Sequence, residues 1–537
     1  MGFEIKDGVL VKYTDEASVT EVTVPDGVEM IANKAFSDTQ VKSIFLPDSV
    51  KKLEGGAFAD CAELESLRLS ENLEDISVAA FANCKKLKSI VIPEKVKQIN
   101  FIAFEGCESL ADIKFPSELE ECSVCGLDDT PWFKENSEKN EMLVVGGVLI
   151  SCNPKDNVAV IPDGVIVAYE CQFSKTLKKV KFTNGPKTIS EAAFDECEDL
   201  EEIEFPADLE DIENMAFQRC SSLKSVRLPE KVTLIGYDAF KECSSLTNVY
   251  FSEGLKEICS DAFRYCENLE EIILPDSLES VEGYAFSDCV NVKKLVLPNN
   301  DTWLGDSVFW KVPVGHLHIP EKFVRGDCIS EAFIDNDISE ITVDENNPEL
   351  TAYNGALYSK DMTVLYKVPE NFESMTIPDT VDTIYDFAFL DCKKIKEIVI
   401  PENVTVIGKG AFINCESLES IKLPSGLTAI EARAFRDCEK LKDVELPETL
   451  ELLGEDAFMN CKSLDRIVIP DNVNVLGETV FCGCTALSEV KMPENIKYMQ
   501  IGFTKHEIED FYEEEVESMD KLIECVFKDT KWLEMRK

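Results

Sequence analysis

Apolar residues return along this chain with a period of 23 residues. The dipeptide Ala-Phe marks the period. It places phenylalanine at Phe58, Phe81, Phe104, Phe194, Phe217, Phe240, Phe263, Phe286, Phe389, Phe412, Phe435 and Phe458. Five more phenylalanines keep the register with small slips: Phe36, Phe173, Phe309, Phe333 and Phe481. The sequence therefore predicts 17 repeated units, called rungs below.

The rung that begins at Phe240 shows what each unit is expected to form. Val249 alternates with Asn248 and Tyr250, and such alternation predicts a short strand with one buried face. A proline follows the strand in most rungs and ends it, because proline has no N–H to donate. The stretch Ala-Phe-x-x-Cys has helical spacing over a single turn, so we expect a short 3₁₀ or α turn there.

A unit of this length cannot bury its own apolar face, but stacked units can. The predicted fold is therefore an α/β repeat solenoid. Its short strands form one long parallel sheet, short helical turns connect them, and a helix caps the C-terminal end. The phenylalanines are expected to stack into an aromatic column.

Two stretches carry a resemblance to a known family. They contain Leu418, Ile421, Leu423 and Pro424 in the strand, and Ile407, Gly408, Ala411, Phe412 and Cys415 around the turn. This unit resembles the leucine-rich repeat of the BspA-like, bacterial surface-antigen class, over roughly residues 8–504. The resemblance implies a leucine-rich repeat superhelix and a role in adhesion or protein binding at a cell surface.

Three apolar strands that begin at Gly8, Gly147 and Gly355 interrupt the period, and each predicts a hairpin-like insert that starts a fresh block of rungs. The predicted organisation is a block at 1–125, a connector at 126–144, a block at 145–340, a block at 341–504 with its insert near 350–370, and an acidic tail at 505–537. We expect the tail to form an amphipathic helix that caps the last rung, with an acidic partner-binding arm as the alternative.

Thirteen of the 21 cysteines share one position, three residues after the phenylalanine. They are Cys61, Cys84, Cys107, Cys197, Cys220, Cys243, Cys266, Cys289, Cys392, Cys415, Cys438, Cys461 and Cys484. Side chains stacked in parallel have the wrong geometry for a disulfide, so we expect a ladder of buried thiols. Asn336 takes the same position in one rung. A thiol- or metal-binding protein that uses this cysteine-rich spine is the alternative.

Candidate chemistry is sparse outside that ladder. The chain has no G-x-S-x-G, Walker A, G-x-G-x-x-G or H-E-x-x-H motif. The pair Cys122 and Cys125 forms a CxxC without a second ligand pair, and His316 and His318 share a strand face without an evident third ligand. We predict no enzyme activity, no catalytic residue, no cofactor and no metal site.

Charge narrows the class of partner. The chain has 103 acidic and 54 basic side chains and a net charge of −49, which disfavours nucleic acid and anionic membranes. We find no signal peptide and no run of 18 apolar residues, so we expect a cytoplasmic protein that does not insert into a membrane. The odd number of cysteines also fits a reducing compartment. Cell-surface location by non-standard export is the alternative, and the oligomeric state stays open.

Strand residues on either side of the buried centre form the predicted binding surface, which we call the outward strand face. Its forty positions include ten acidic and nine basic residues, and this nearly neutral mixture with exposed aromatic rings suits protein contact. We predict a non-enzymatic scaffold that binds a protein. A cell-surface adhesin and a solvated sheet without a partner are the alternatives. The candidate residues are Arg68, Lys179, Lys181, Glu202, Glu204, Arg227, Asn248, Tyr250, Glu271, Ile273, Lys294, His316 and His318.

Overall fold

Each regular rung contributes two short strands and a set of turns between them. A computed structural model describes residues 2–14, 19–174, 176–493, 496, 498–501, 512–515 and 519–536. The chain divides into two compact units, Met1–Glu267 and Asn268–Lys537. The block boundaries predicted from the sequence stay a prediction.

The first ladder consists of strands, mostly three residues long, whose middle residue points into the core. Ser225 pairs in parallel with Asn248, 23 residues later, which matches the sequence period. In the first unit its strands are Glu21–Thr23, Ser43–Phe45, Ser66–Arg68, Ser89–Val91, Asp112–Lys114, Val158–Ile161, Lys179–Phe182, Glu202–Glu204, Ser225–Arg227 and Asn248–Tyr250. In the second unit they are Glu271–Ile273, Lys294–Val296, His316–Ile319, Glu340–Val343, Glu397–Val399, Ser420–Lys422, Arg466–Val468 and Glu489–Lys491.

A second parallel ladder, mostly of two-residue strands, was not predicted. In the first unit it comprises Met30–Ile31, Lys52–Leu53, Asp75–Ile76, Gln98–Ile99, Glu121–Cys122, Thr188–Ile189, Asp211–Ile212, Leu234–Ile235 and Glu257–Ile258. In the second unit it comprises Ser280–Val281, Trp303–Leu304, Thr383–Ile384, Val406–Ile407, Ala429–Ile430, Leu452–Leu453, Val475–Gly477 and Tyr498–Ile501. The predicted solenoid of short parallel strands is confirmed, but its strands lie in two ladders divided into shorter sheets.

Adjacent rungs approach closely beside the second ladder. Gly236 follows the strand Leu234–Ile235, and a Cβ atom at this position would lie 2.7 Å from the backbone nitrogen of Asn214 in the preceding rung. Such a distance is well inside van der Waals contact, so only glycine fits here without a shift of the backbone.

The Ala-Phe segment forms consecutive turns in which left-handed residues flank the phenylalanine. Asp238 and Glu242, two residues before and after Phe240, have φ angles of 56° and 61°. Left-handed backbone costs a non-glycine residue about 1–2 kcal/mol. In return, the backbone N–H groups of Asp238, Phe240 and Glu242 donate to carbonyl oxygens of the following rung at 3.2, 2.7 and 2.8 Å. Three hydrogen bonds of roughly 1 kcal/mol each offset the backbone strain. These consecutive turns take the place of the short 3₁₀ or α turn that the sequence predicted.

The phenylalanine rings stack within each unit. In the first unit the centroids of Phe217 and Phe240 are 5.1 Å apart, and those of Phe240 and Phe263 are 5.2 Å apart, with nearly parallel planes. The predicted aromatic column is interrupted in the second unit. There, Val368 takes the phenylalanine position and donates its backbone N–H to Ala388 at 2.8 Å.

Antiparallel hairpins lie where the Gly-led strands interrupt the period. Asn354 and Gly355 both have positive φ angles, as a two-residue hairpin turn with right-handed twist requires. In the first two hairpins the second strand pairs in parallel with a later strand, as Val9 does with Met30. In the third, the second strand pairs antiparallel with a further strand, and that strand pairs in parallel with Thr383–Ile384. The strands are Gly2–Lys6 with Val9–Thr14, Met142–Val145 with Val148–Cys152 and then Ile166–Phe173, and Leu350–Tyr353 with Ala356–Ser359 and then Val364–Lys367.

Four helices occur among the described residues: Pro131–Lys139, Gly326–Ala332, Met519–Val526 and Lys531–Arg536. The helical cap starts later than the tail pattern predicted. Residues 505–511 and 516–518 of that predicted tail lie outside the described residues, and Tyr512–Glu515 is a strand antiparallel to Tyr498–Ile501. Phe527, between the last two helices, stacks on Phe481 at 5.3 Å, so the cap extends the aromatic column.

Candidate functional site

The outward strand face is exposed where the sequence places it. In the strand Ser225–Arg227 the outer residues are exposed and Val226 is fully buried. The same pattern exposes Arg68, Lys181, Glu202, Tyr250, Glu271, Ile273, Lys294, His316 and His318. Lys179, Glu204 and Asn248, on the same face, are half-buried.

Arg227 and Tyr250 form a cation–π pair on this face in the first unit. They lie in register on adjacent parallel strands, and the Arg227 guanidinium is 4.1 Å from the centre of the Tyr250 ring. Tyr250 is nevertheless 46% exposed. A second pair has the same form, since Arg68 lies 4.4 Å from the ring centre of Phe45. Both pairs hold a planar cation and an aromatic ring in fixed positions at the surface.

A network of ion pairs lies farther along the same face. The Lys179 ammonium is 2.8 Å from the Glu202 carboxylate and 2.6 Å from that of Glu204, and Lys181 is 2.8 Å from Glu204. Hydrogen bonds from Lys179 and Lys181 lower the pKa of Glu204 to about 2. The four charges neutralise one another, so this part of the face offers little net charge to a partner.

In the second unit, Glu271 pairs in register with Lys294, and Ile273 with Val296. The first residues of the two strands carry opposite charges, and the third residues are branched and apolar. Ile273 and Val296 are 43% and 37% exposed. This part of the face therefore combines a charged row with a small apolar row.

The histidine pair lies on the next strand of the second unit. His316 and His318 flank buried Leu317, and both imidazoles are exposed, as the alternation predicts. Each imidazole contacts the Thr342 hydroxyl of the neighbouring strand, at 2.9 Å from His316 Nε2 and 3.0 Å from His318 Nδ1. Spacing along the chain did not predict the contacts with Thr342, because the two strands are separated by an irregular rung.

The thirteen ladder cysteines are all buried, and the 21 cysteines of the chain are thiols rather than disulfides. In regular rungs each thiol donates to the carbonyl oxygen of the phenylalanine one rung earlier; the Sγ atom of Cys243 is 3.2 Å from the Phe217 oxygen. Burial raises the pKa of Cys107 and Cys197 to about 12. Thiols held protonated are poor nucleophiles and metal ligands, which disfavours chemistry along the ladder.

The CxxC pair also contains a buried thiol with a raised pKa. Cys122 is fully buried at the end of the strand Glu121–Cys122, and burial raises its pKa to about 12. Cys125 is half-buried. A redox-active CxxC needs an exposed thiol of low pKa, which Cys122 does not provide.

Two residues replace cysteine as the donor in the irregular part of the second unit. The Asn336 side-chain amide donates to the oxygens of Phe309 and Val312 at 2.8 and 2.6 Å. The Lys367 ammonium donates to the Phe333 oxygen at 2.9 Å and is fully buried. A lysine in this role could not be foreseen, because lysine is almost never fully buried.

Glu370 is the charged partner of that buried lysine. Burial lowers the pKa of Lys367 and raises the pKa of Glu370 to about 7, and the attraction between the two groups opposes both shifts. Glu370 also accepts a hydrogen bond from the Asn336 backbone N–H at 3.1 Å. Lys367 ends the last strand of the hairpin insert and donates to Phe333, so the pair connects the insert to the preceding rung.

Two further structural observations bear on chemistry and membranes. An open hollow of about 570 Å³ in the second unit is lined by Glu340, Thr342, Asn354, Phe372 and their neighbours. Among the residues that the structure describes, no helix is long and apolar enough to cross a bilayer.

Comparison with known sequences identifies one family. Residues 12–125, 152–270, 235–356, 363–431 and 406–533 match the profile described as BspA type leucine rich repeat region (6 copies). The matched ranges cover well over half of the chain. No curated protein matches it.

Solved structures similar to this chain are leucine-rich repeat proteins. A leucine-rich cell surface protein of Faecalibacterium prausnitzii A2-165 is 21% identical, with 90% of this chain and 89% of that one covered and a TM-score of 0.34. A leucine-rich repeat protein of Bacteroides ovatus ATCC 8483 is 22% identical, with 80% and 78% covered and a TM-score of 0.31. The T. pallidum leucine-rich repeat protein is 30% identical, with 31% and 82% covered and a TM-score of 0.28.

Proposed function

The chain belongs to the BspA-type leucine-rich repeat family, and on that premise we propose that it is a non-enzymatic scaffold that binds a partner protein with its outward strand face. Repeat proteins of this kind offer a row of strands as an extended binding surface. The proposed partner is a protein whose surface offers apolar and acidic groups.

The pair Arg227 and Tyr250 carries this proposal. Tyrosine and arginine are the residue types that most often dominate binding energy in protein interfaces. Here, the guanidinium lies 4.1 Å from the ring centre, and both residues lie on hydrogen-bonded strands. A partner would find them already in place, so binding would cost little side-chain entropy. An acidic group of the partner would pair with Arg227, and an apolar group would cover Tyr250.

The test is affinity capture with the full chain and with Tyr250→Ala. Loss of a dominant interface residue costs at least about 2 kcal/mol, which is roughly a 30-fold loss of affinity. Tyr237 supplies the matched control, because it is 48% exposed, against 46% for Tyr250, and lies in a turn outside the strand face. Tyr237→Ala is expected to capture the same partner as the unchanged chain.

Arg227→Ala should weaken capture of the same partner, and more strongly at low salt than at high salt. Equal capture by Tyr250→Ala, Arg227→Ala and the unchanged chain would contradict binding through this part of the face. Loss of capture by Tyr237→Ala as well would indicate a different surface.

We further propose a reducing, cytoplasmic setting for this scaffold. The support is the set of 21 cysteine thiols, which an oxidising compartment would expose to disulfide exchange during folding. Fractionation of the source cells tests the location. Recovery of the protein at the cell surface would favour the adhesin alternative instead.

A further inference from the structure

A row of uncharged side chains lies on the outer side of the second ladder in the second unit. In four consecutive strands of this ladder the first residue is half-buried and the second is buried, which places the first residue on the outer side. The four strands pair in parallel and in register, so their outer residues are direct neighbours. This apolar row consists of Val406, Ala429, Leu452 and Val475.

The same ladder of the first unit carries polar and charged side chains at the outer position. Four consecutive strands there have Lys52, Asp75, Gln98 and Glu121. Such side chains are typical of a strand face that meets water. A contiguous apolar row with polar neighbours is instead typical of an interaction surface. The two units therefore differ in what the outer side of this ladder is suited to contact.

The order of side-chain sizes in the apolar row matches the same row in reverse. A two-fold axis between the second and third strands of the row would bring Ala429 of each copy opposite Leu452 of the other. The large leucine side chain would then enter the space that the small alanine leaves. Val406 and Val475, at the two ends of the row, would also face each other, and they are equal in size. The row is therefore complementary in shape to a second copy of itself.

Charged and polar groups beside the apolar row match in the same reversed arrangement. Lys409 and Glu478 each come three residues after the outer valine of their own strand, so the axis places the ammonium of one copy opposite the carboxylate of the other. Thr428 and Glu451 each precede the outer residue by one position, so the threonine hydroxyl can donate to the carboxylate of the other copy. Opposite charges at the contact matter for a chain of net charge −49, because two copies repel each other elsewhere.

We propose that the apolar row is the interface of a two-fold symmetric dimer of this chain. The row lies on the second ladder, whereas the outward strand face lies on the first, so the inference does not depend on the proposed function. A dimer carries that face twice and gains affinity for a partner with two matching sites. Four strands about 4.8 Å apart form a short contact, so we expect a weak dimer with a Kd on the order of 10–100 µM.

Sedimentation velocity of the full chain, at concentrations from about 1 to 300 µM, tests the interface. The unchanged chain should pass from monomer to dimer over this range. Leu452→Asp should weaken association at least about 100-fold, because it places an unpaired carboxylate from each copy in the contact. Leu234→Asp is the matched control, since Leu234 is half-buried at the same position of the first unit, between Asp211 and Glu257 of the adjacent strands. This variant should dimerise like the unchanged chain.

An exchange of side-chain sizes then tests the two-fold arrangement. Ala429→Leu alone should weaken association about tenfold, because Leu452 of the other copy loses its space. The double variant A429L/L452A restores the match and should recover most of that loss. A chain that stays monomeric at 300 µM, a dimer that Leu452→Asp leaves intact, or a double variant no better than Ala429→Leu would overturn the proposal. Circular dichroism and urea unfolding confirm that each variant is folded.

Discussion

The regular rung at Phe240 and the irregular rung at Lys367 meet the same need with different chemistry. In the regular rung, the oxygen of Phe240 accepts the backbone N–H of Cys243 and the thiol of Cys266, each at 3.2 Å. In the irregular rung, the Lys367 ammonium takes the place of the thiol on the Phe333 oxygen. Both arrangements provide a buried carbonyl oxygen with a donor from the next rung.

The difference shows why cysteine suits the repeated position. A thiol is a weak donor but neutral, small and apolar enough to lie in the core without a partner of its own. A buried ammonium is a stronger donor, but it must be desolvated and needs Glu370 nearby. The ladder uses the low-cost donor wherever the spacing is regular, and the costly one where the hairpin insert changes the distance to be bridged.

The largest effect is expected from removing a ring in the regular part of the column. Phe240→Ala leaves a cavity between Phe217 and Phe263 and should lower the free energy of unfolding by about 3–5 kcal/mol. Val368→Ala, at the same position of the irregular rung, should cost only about 2 kcal/mol because a smaller side chain is lost. Urea unfolding followed by circular dichroism measures both. Equal costs would contradict a larger contribution to stability from the ring than from the valine side chain.

Removing the buried ammonium is expected to cost roughly 3 kcal/mol. Lys367→Ala leaves the Phe333 oxygen without that donor and Glu370 without its nearby cation. The exposed Lys394→Ala in the same unit is the control, and should change stability by less than about 0.5 kcal/mol. If both variants unfold at the same urea concentration, the ammonium bond contributes nothing and the comparison fails.

The same pair predicts a dependence on pH. The folded state keeps a proton on Glu370 up to a pKa of about 7, whereas the unfolded chain releases it near pH 4.5. The associated stability is therefore present at low pH and is lost as the pH rises from about 4.5 to about 7, by at most about 3 kcal/mol. Thermal unfolding across this range should show a smaller pH dependence in Glu370→Gln than in the unchanged chain. Identical slopes would remove Glu370 as the cause.

The smallest effect concerns a single thiol of the regular ladder. Cys243→Ala removes the donor to the Phe217 oxygen and one buried sulfur, and should cost about 1 kcal/mol. Cys243→Ser keeps a donor at that position and should recover part of the loss. A serine variant no more stable than the alanine variant would mean that the thiol acts only by filling space.

The sequence predicted the regular rung well, because its period repeats the same physical requirement many times. Phe240, Cys243, Leu246 and Ile258 are fully buried, as their spacing indicated. The family followed from the same residues. The outward strand face also follows from alternation, since only one face of each strand can enter the core.

What could not be predicted depends on contacts between rungs. The left-handed φ angles at Asp238 and Glu242 carry no glycine signal, because hydrogen bonds to the following rung impose them. The strands of the second ladder are too short to show a period of two. The pairing of His316 with Glu340 spans a rung of unequal length, so its register was not readable from spacing.

The bond between each ladder thiol and the preceding phenylalanine has a consequence for how such a chain can change in length. In every regular rung, the cysteine thiol donates to the preceding rung and the phenylalanine oxygen accepts from the following rung, as Cys243 and Phe240 do. Duplicating or deleting a whole repeat leaves every thiol donor with an acceptor. A partial copy leaves a buried carbonyl oxygen without its donor. A gene encoding this fold can therefore grow or shrink in steps of 23 codons at little energetic penalty. The rung with Lys367 lacks this freedom, because a duplicate would have to carry Glu370 with it.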